Sequence, residues 1–353
     1  MCDFSKYGGA SEELTQLLAT LPPVPELSIQ DFKKSVNQGR EDASSEEMKR
    51  LGPQIHHKDH FVPSRDGGYQ IPARSYRPSS IPADQKLPIF VYYHGGGFLF
   101  GTLESENAAC SRIALATNTV VVNVCYRHTP EYVYPTAWHD SEDAFEWIFA
   151  RPQEFGGDAS QIVIGGVSAG GQLAAALAQT KCREQAPSFR SIKGQVLMIP
   201  CLAHPDGYGP LLAQMKSPEI SSYKENENAP ILPLSRFRMF ISLLFPDGPP
   251  SQDDRRYNVS VAPPSEVKDL PPTTFGIAGL DPLRDEGLLY AKLLTESGVA
   301  TSTHVFKGSP HGFRRFGDKL SASKHWDQVL YHGIKWALSN PTSSGKFEVE
   351  VLQ

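Results

Sequence analysis

The first group in this chain with chemistry to offer is a serine set among glycines. It lies in Gly165-Gly166-Val167-Ser168-Ala169-Gly170-Gly171, after the β-branched stretch Gln161-Ile162-Val163-Ile164 and before Gln172-Leu173-Ala174-Ala175-Ala176-Leu177-Ala178. A strand feeding a helix through G-x-S-x-G is the pattern of a nucleophile elbow. The turn is too tight for side chains on either flank, and its strain lifts the serine hydroxyl clear of the backbone. A hydroxyl is a weak nucleophile without a base, so partners decide whether this is a catalytic serine or a glycine-rich turn. His311-Gly312-Phe313 supplies an imidazole that would take the Ser168 proton. Asp281-Pro282-Leu283 supplies a carboxylate that would fix the imidazole tautomer and stabilise the imidazolium. Alone, Asp281 reads as a helix cap and His311 as a loop histidine. A fourth feature, His94-Gly95-Gly96-Gly97-Phe98, strips the side chains from one loop, so that its backbone N–H groups can hold an oxyanion. No Gly-Lys-Ser/Thr follows, which sets a phosphate loop aside. His94 is expected to brace the loop by hydrogen bonds.

These features must be carried by strands and helices, and the pattern places each at a strand end. Strands are expected at 87–93, 119–126, 161–167, 192–199, 273–280 and 301–306, with helices at 137–150, 285–297 and 321–338. That alternation indicates an α/β fold with a mostly parallel sheet covered on both faces. Open sheets of this kind place their sites at the strands' carboxyl ends. Ahead of the sheet, leucines 14, 17, 18 and 21 give a helix stopped by Pro22-Pro23, and 28–50 gives a more polar helix interrupted at Gly39. Both are expected outside the core or over its active edge. His56-His57-Lys58-Asp59-His60-Phe61-Val62 invites a metal reading, but the spacing matches no ligand set and an exposed strand face is expected. Gly67-Gly68 turns it into a hairpin with 69–77. The rhythm breaks from about 203 to 267, where the amphipathic run Phe237 to Phe245 suggests a lid-like helical insertion rather than a core helix.

Composition limits the function classes. At 353 residues with 21% charged and 40% apolar residues the chain is an ordinary globular sequence. A net charge of -5 leaves no footprint for nucleic acid, and no apolar run is long enough to span a bilayer. Residues 1–6 lack an apolar leader, and the five cysteines are scattered and odd in number. Reduced thiols, a cytoplasmic setting and no zinc site are the expectation.

Five motifs in order carry a family resemblance: Tyr93-His94-Gly95-Gly96-Gly97-Phe98, Tyr126-Arg127-His128-Thr129-Pro130-Glu131, Gly166-Val167-Ser168-Ala169-Gly170-Gly171, Asp281-Pro282-Leu283-Arg284-Asp285-Glu286 and His311-Gly312-Phe313. With the order Ser168, Asp281, His311, the chain resembles the hormone-sensitive-lipase-like branch of the α/β-hydrolases over roughly 88–333. The resemblance implies an eight-stranded α/β-hydrolase sheet, a Ser168–His311–Asp281 triad, and cofactor-free hydrolysis of carboxylic esters, short- to medium-chain or aryl. It also implies an oxyanion hole from Gly96, Gly97 and Ala169 with Gly95 close by, and structural ion-pairing roles for Arg127 and Glu131. A small-molecule ester is then the partner, and neither metal nor cofactor is needed. The organisation it suggests is N-terminal helices forming part of a cap (1–55), core (56–204), cap insertion (205–267), core (268–340) and tail without clear structure (341–353). Two features depart from the family. Val167 stands where Asp or Thr is usual, and His128-Thr129 replaces Leu-Ala. The same acyl-enzyme would serve an amidase, a thioesterase or an acyl-transfer or ring-closing enzyme. A receptor of this fold is a further alternative, although receptors of the kind lose a triad member, most often the histidine.

Overall fold

The computed structural model describes residues 1–22 and 27–353. A nine-stranded sheet runs through its centre in the order β1-β2-β4-β3-β5-β6-β7-β8-β9. The strands are β1 Ile55–Pro63, β2 Gln70–Pro78, β3 Leu87–Tyr93, β4 Val120–Val124, β5 Gly157–Val167, β6 Ile192–Met198, β7 Thr273–Leu280, β8 Thr301–Pro310 and β9 Glu350–Leu352. β1 and β2 pair antiparallel, β2 joins β4 antiparallel, and every later pairing is parallel. The parallel strands are apolar on both faces because helices cover both. Val120, Val121, Val122 and Val124, for example, are all buried.

The helices are α1 Glu12–Ala19, α2 Ile29–Leu51, α3 Asn107–Thr117, α4 Thr136–Ala150, α5 Ala169–Arg183, α6 Gly209–Leu212, α7 Ser222–Glu225, α8 Leu234–Leu244, α9 Pro264–Val267, α10 Arg284–Glu296 and α11 Ala322–Leu338. Ser11 caps α1 by accepting the Leu14 amide, as its position before two glutamates leads one to expect. Leu14 is buried in the same apolar cluster as Phe313, Leu320 and Trp326, and Glu13 accepts from the Ser321 amide at 2.9 Å, just ahead of α11. Pro23, the second half of the expected stop, lies outside the described residues.

Three expectations need correction. The sheet has nine strands rather than eight, because the tail is not structureless. β9 pairs parallel with β8, His304 opposite Glu350 and Phe306 opposite Leu352. A three-residue strand behind a Pro/Ser/Gly stretch is too short to signal itself by pattern. Second, α2 passes through Gly39 unbroken. One exposed glycine costs a helix only about 1 kcal/mol, and the side-chain contacts described below outweigh it. Third, His60 is not on an exposed face. It is buried and bonded to Ser75 Oγ at 2.9 Å, while His56 and His57 are exposed.

Candidate active site

β5 delivers Ser168 at φ 54 and ψ -114, a backbone conformation that non-glycine residues rarely adopt. The turn survives because its neighbours are glycines: a Cβ at Gly166 or at Gly170 would collide with the carbonyl of Tyr93 on β3. The Ser168 amide donates to Met198 O at 2.8 Å, which ties the turn to the end of β6. β7 ends just before Asp281, and β8 ends just before His311. Three strand ends therefore converge.

His311 Nε2 stands 2.9 Å from Ser168 Oγ, and His311 Nδ1 stands 2.7 Å from Asp281 Oδ2. With Nδ1–H donating to the carboxylate, Nε2 is left as the acceptor for the serine hydroxyl. The other Asp281 oxygen accepts the Leu283 amide at 2.9 Å. Asp281 is 1% exposed, His311 8% and Ser168 9%. All three residues are therefore largely buried.

The glycine loop follows β3. Gly96 has φ 144 and Gly97 φ 61, and Gly96 O accepts the amides of both Leu99 and Phe100 at 3.0 Å. Among the described residues the amides of Gly96 and Gly97 donate to no protein group. Ala169 is the first residue of α5, where helical N–H groups have no partner within the helix. Gly95 lies against Val167: a Cβ there would stand 2.9 Å from Val167 O and 3.1 Å from its Cγ1. Val167 thus makes an apolar contact with the loop where the family usually carries a polar side chain.

His94 behaves as a brace. Its Nδ1 lies 3.1 Å from Gly95 O, its ring stacks on Tyr126 at 4.5 Å, and burial lowers its pKa to about 4. Arg127 and Glu131 each form an ion pair, but with separate partners. Arg127 binds Asp140 at 2.7 Å and Asp66 at 2.6 Å, and Glu131 binds Lys33 at 2.6 Å.

Further residues shape the site around the triad. Tyr126 Oη donates to His94 O at 2.7 Å, and Asn226 Nδ2 donates to Asp281 O at 3.0 Å. Ser222 fastens α7 to the Asp281 loop: its amide donates to Asp285 Oδ2 and its hydroxyl to Pro282 O, both at 2.6 Å. Glu286 accepts the Leu202 amide at 2.5 Å, and burial pushes its carboxyl well above the usual range. Phe240 of α8 lies on the glycine loop, so that a Cβ at Gly97 would meet its Cδ2 at 2.6 Å. Of these, Tyr126, Asp285 and Glu286 stand inside the family motifs and Phe240 inside the amphipathic run, whereas Asn226 and Ser222 left no signal in the sequence.

Residues 90–315 match a family model described as alpha/beta hydrolase fold. This chain belongs to that family. Among relatives of this hydrolase, esterase LipI of Mycobacterium tuberculosis is 30% identical over 344 residues, covering 95% of the chain and 94% of that esterase. Among solved structures, an esterase from Pyrobaculum calidifontis superposes with a TM-score of 0.76 at 32% identity, over 93% of this chain and 99% of that one. Vibralactone cyclase superposes with a TM-score of 0.82 at 26% identity, over 95% and 96% of the two chains. Among the described residues of the hydrolase, no three or more His, Cys, Asp and Glu side chains are grouped to hold a metal ion. Nor is any described helix long and apolar enough to cross a membrane.

Proposed function

We propose that this hydrolase cleaves small carboxylic esters, short- to medium-chain or aryl, through an acyl-enzyme on Ser168. The observation that carries the reading is the continuous chain Ser168 Oγ–His311–Asp281, at 2.9 and 2.7 Å, set beside amides without protein partners. In the first half-reaction Ser168 Oγ bonds to the ester carbonyl carbon while its proton passes to His311 Nε2. The carbonyl π pair moves onto oxygen, where the amides of Gly96, Gly97 and Ala169 receive it. The C–O bond to the alcohol then breaks, and the alcohol leaves with the proton from His311. In the second half, water gives a proton to His311, its oxygen bonds to the acyl carbon, and Ser168 departs with that proton. Asp281 accepts from Nδ1–H throughout. In this reading α2 and residues 205–267 together form a cap over the acyl pocket, with Phe240 against the glycine loop. The relatives named as esterases support the same reading.

One observation favours a second outcome. The likeness extends to a protein named as a cyclase. A hydroxyl within the substrate would then take the place of water and close a ring. Incubation with a fluorophosphonate and with p-nitrophenyl esters of graded chain length separates these outcomes. Labelling and release of free acid are expected from the wild type, with neither from Ser168→Ala. Labelling or turnover that survives the substitution overturns the assignment, and a cyclic product from a hydroxy-ester selects ring closure.

A further inference from the structure

Gly95-Gly96-Gly97 has no Cβ to hold its peptide planes, so something else must set the direction of its amides. The carbonyl of Gly95 and the amide of Gly96 belong to one planar trans peptide unit and point to opposite sides of it. Whatever pins Gly95 O therefore aims Gly96 N–H. Two donors reach that oxygen: His94 Nδ1 at 3.1 Å and Arg40 Nη1 at 3.2 Å. His94 comes from the loop itself, whereas Arg40 comes from α2, 55 residues earlier.

Arg40 is itself held. Its Nη2 pairs with Glu106 Oε1 at 2.6 Å, and Glu106 also accepts from Tyr92 Oη at 3.2 Å and Ser105 Oγ at 3.0 Å. The Glu106 side chain is 5% exposed, and among the described residues Arg40 is the one cation paired with it. Burial alone would raise the Glu106 pKa, and Arg40 is the largest of the influences that bring it below the ordinary range. One planar guanidinium thus serves a buried carboxylate and a loop carbonyl at once, a geometry that lysine's single point of charge does not reproduce.

The rest of α2 acts on the same stretch. Lys33 Nζ donates to Thr129 O at 2.8 Å, Asn37 Oδ1 accepts the Gly101 amide at 2.9 Å, Glu41 accepts from Thr102 Oγ1 at 2.7 Å, and Ser44 Oγ accepts the Ala108 amide at 3.1 Å. Positions 33, 37, 40, 41 and 44 share one helical face. α2 is polar because this face hydrogen-bonds to loop backbone and polar side chains, beside the apolar contacts of Ile29, Phe32 and Val36.

We infer that Arg40 is a positioning residue for the ester-cleaving site, holding the Gly95–Gly96 peptide so that its amide faces the oxyanion. The inference rests on the function proposed above. Arg40→Ala leaves Glu106 buried without a cation, so the decisive variant is Arg40→Ala with Glu106→Gln, compared with Glu106→Gln alone. Rates are expressed per active site titrated by fluorophosphonate, which counts only folded enzyme. Removing Arg40 is expected to lower kcat about 30-fold with KM within about twofold, a smaller loss than deleting an oxyanion donor outright. Affinity for a trifluoromethyl ketone, which forms an oxyanion on Ser168, is expected to fall by the same factor. Restoring arginine in the Glu106→Gln background restores both. If kcat and ketone affinity per titrated site are equal with and without Arg40, the residue only fastens α2 and the inference is wrong, while the esterase reading stands. A wild type inactive on every ester overturns both.

Discussion

At the residue scale, the site depends on one imidazole being held in one tautomer. Asp281 Oδ2 at 2.7 Å from Nδ1 is the group that does so, and its second oxygen is already committed to the Leu283 amide. Asp281→Asn removes the charge and presents an amide whose NH₂ favours the wrong tautomer. The expected result is a fall in kcat on the order of 10⁴ with the unfolding midpoint nearly unchanged, as measured by ester turnover and denaturant titration. A loss below about tenfold would mean that Asp281 neither orients nor charges the histidine. Ser168, Asp281 and His311 were legible because each is a reactive residue type in a short motif at or just beyond a strand's carboxyl end. Asn226 and Arg40 were not, because each acts by hydrogen bonding to a backbone carbonyl, and any polar residue on any loop or helix can do that.

At the element scale, α2 and α8 meet over the glycine loop through a run of rings. Phe32 of α2 lies edge-on to Phe100 at 5.0 Å, and Phe100 lies edge-on to Phe240 of α8 at 5.7 Å. Phe240 closes the space beside Gly97, so its ring limits what an acyl group can occupy there. Phe240→Ala is expected to raise the ratio of kcat/KM for a hexanoate ester over an acetate ester several-fold. It is also expected to lower stability by about 3 kcal/mol, since a buried ring is lost. Competition between the two esters and a denaturant titration check the two parts, and an unchanged ratio would remove Phe240 from the pocket wall. The helical spacing of α8 was readable, but not the surface on which its apolar face comes to rest. In α2 the glycine suggested a break, yet tertiary bonds from one helical face override that local preference.

At the scale of the whole molecule, buried histidines link stability to pH. His94 has its pKa lowered by burial from 6.5 to about 4. A group with a depressed pKa in the folded state resists protonation that the unfolded chain accepts. Its contribution is complete above about pH 6.5 and declines as the pH falls, levelling off below about pH 4. That shift corresponds to about 3 kcal/mol between the two ends of the window. His94→Asn keeps a donor for Gly95 O without the titration. Denaturant unfolding at pH 7.5 and pH 4.5 should show the wild type losing more stability on acidification than the variant, and equal losses would contradict the linkage. The parallel sheet was legible at this scale because fully buried strands write continuous apolar runs into the sequence. β9 was not, because three residues docked on the edge of β8 owe their strand conformation to the partner rather than to themselves.

Ester cleavage in two half-reactions requires that Ser168 Oγ carry the acyl group between them. Intact-mass spectrometry after rapid acid quenching of the enzyme with p-nitrophenyl acetate tests it most directly. One added acetyl group per chain, located on the peptide containing Ser168 and absent from Ser168→Ala, is the result expected. Turnover with no acylated chain, or an acetyl group on any other residue that is competent to turn over, would contradict the account.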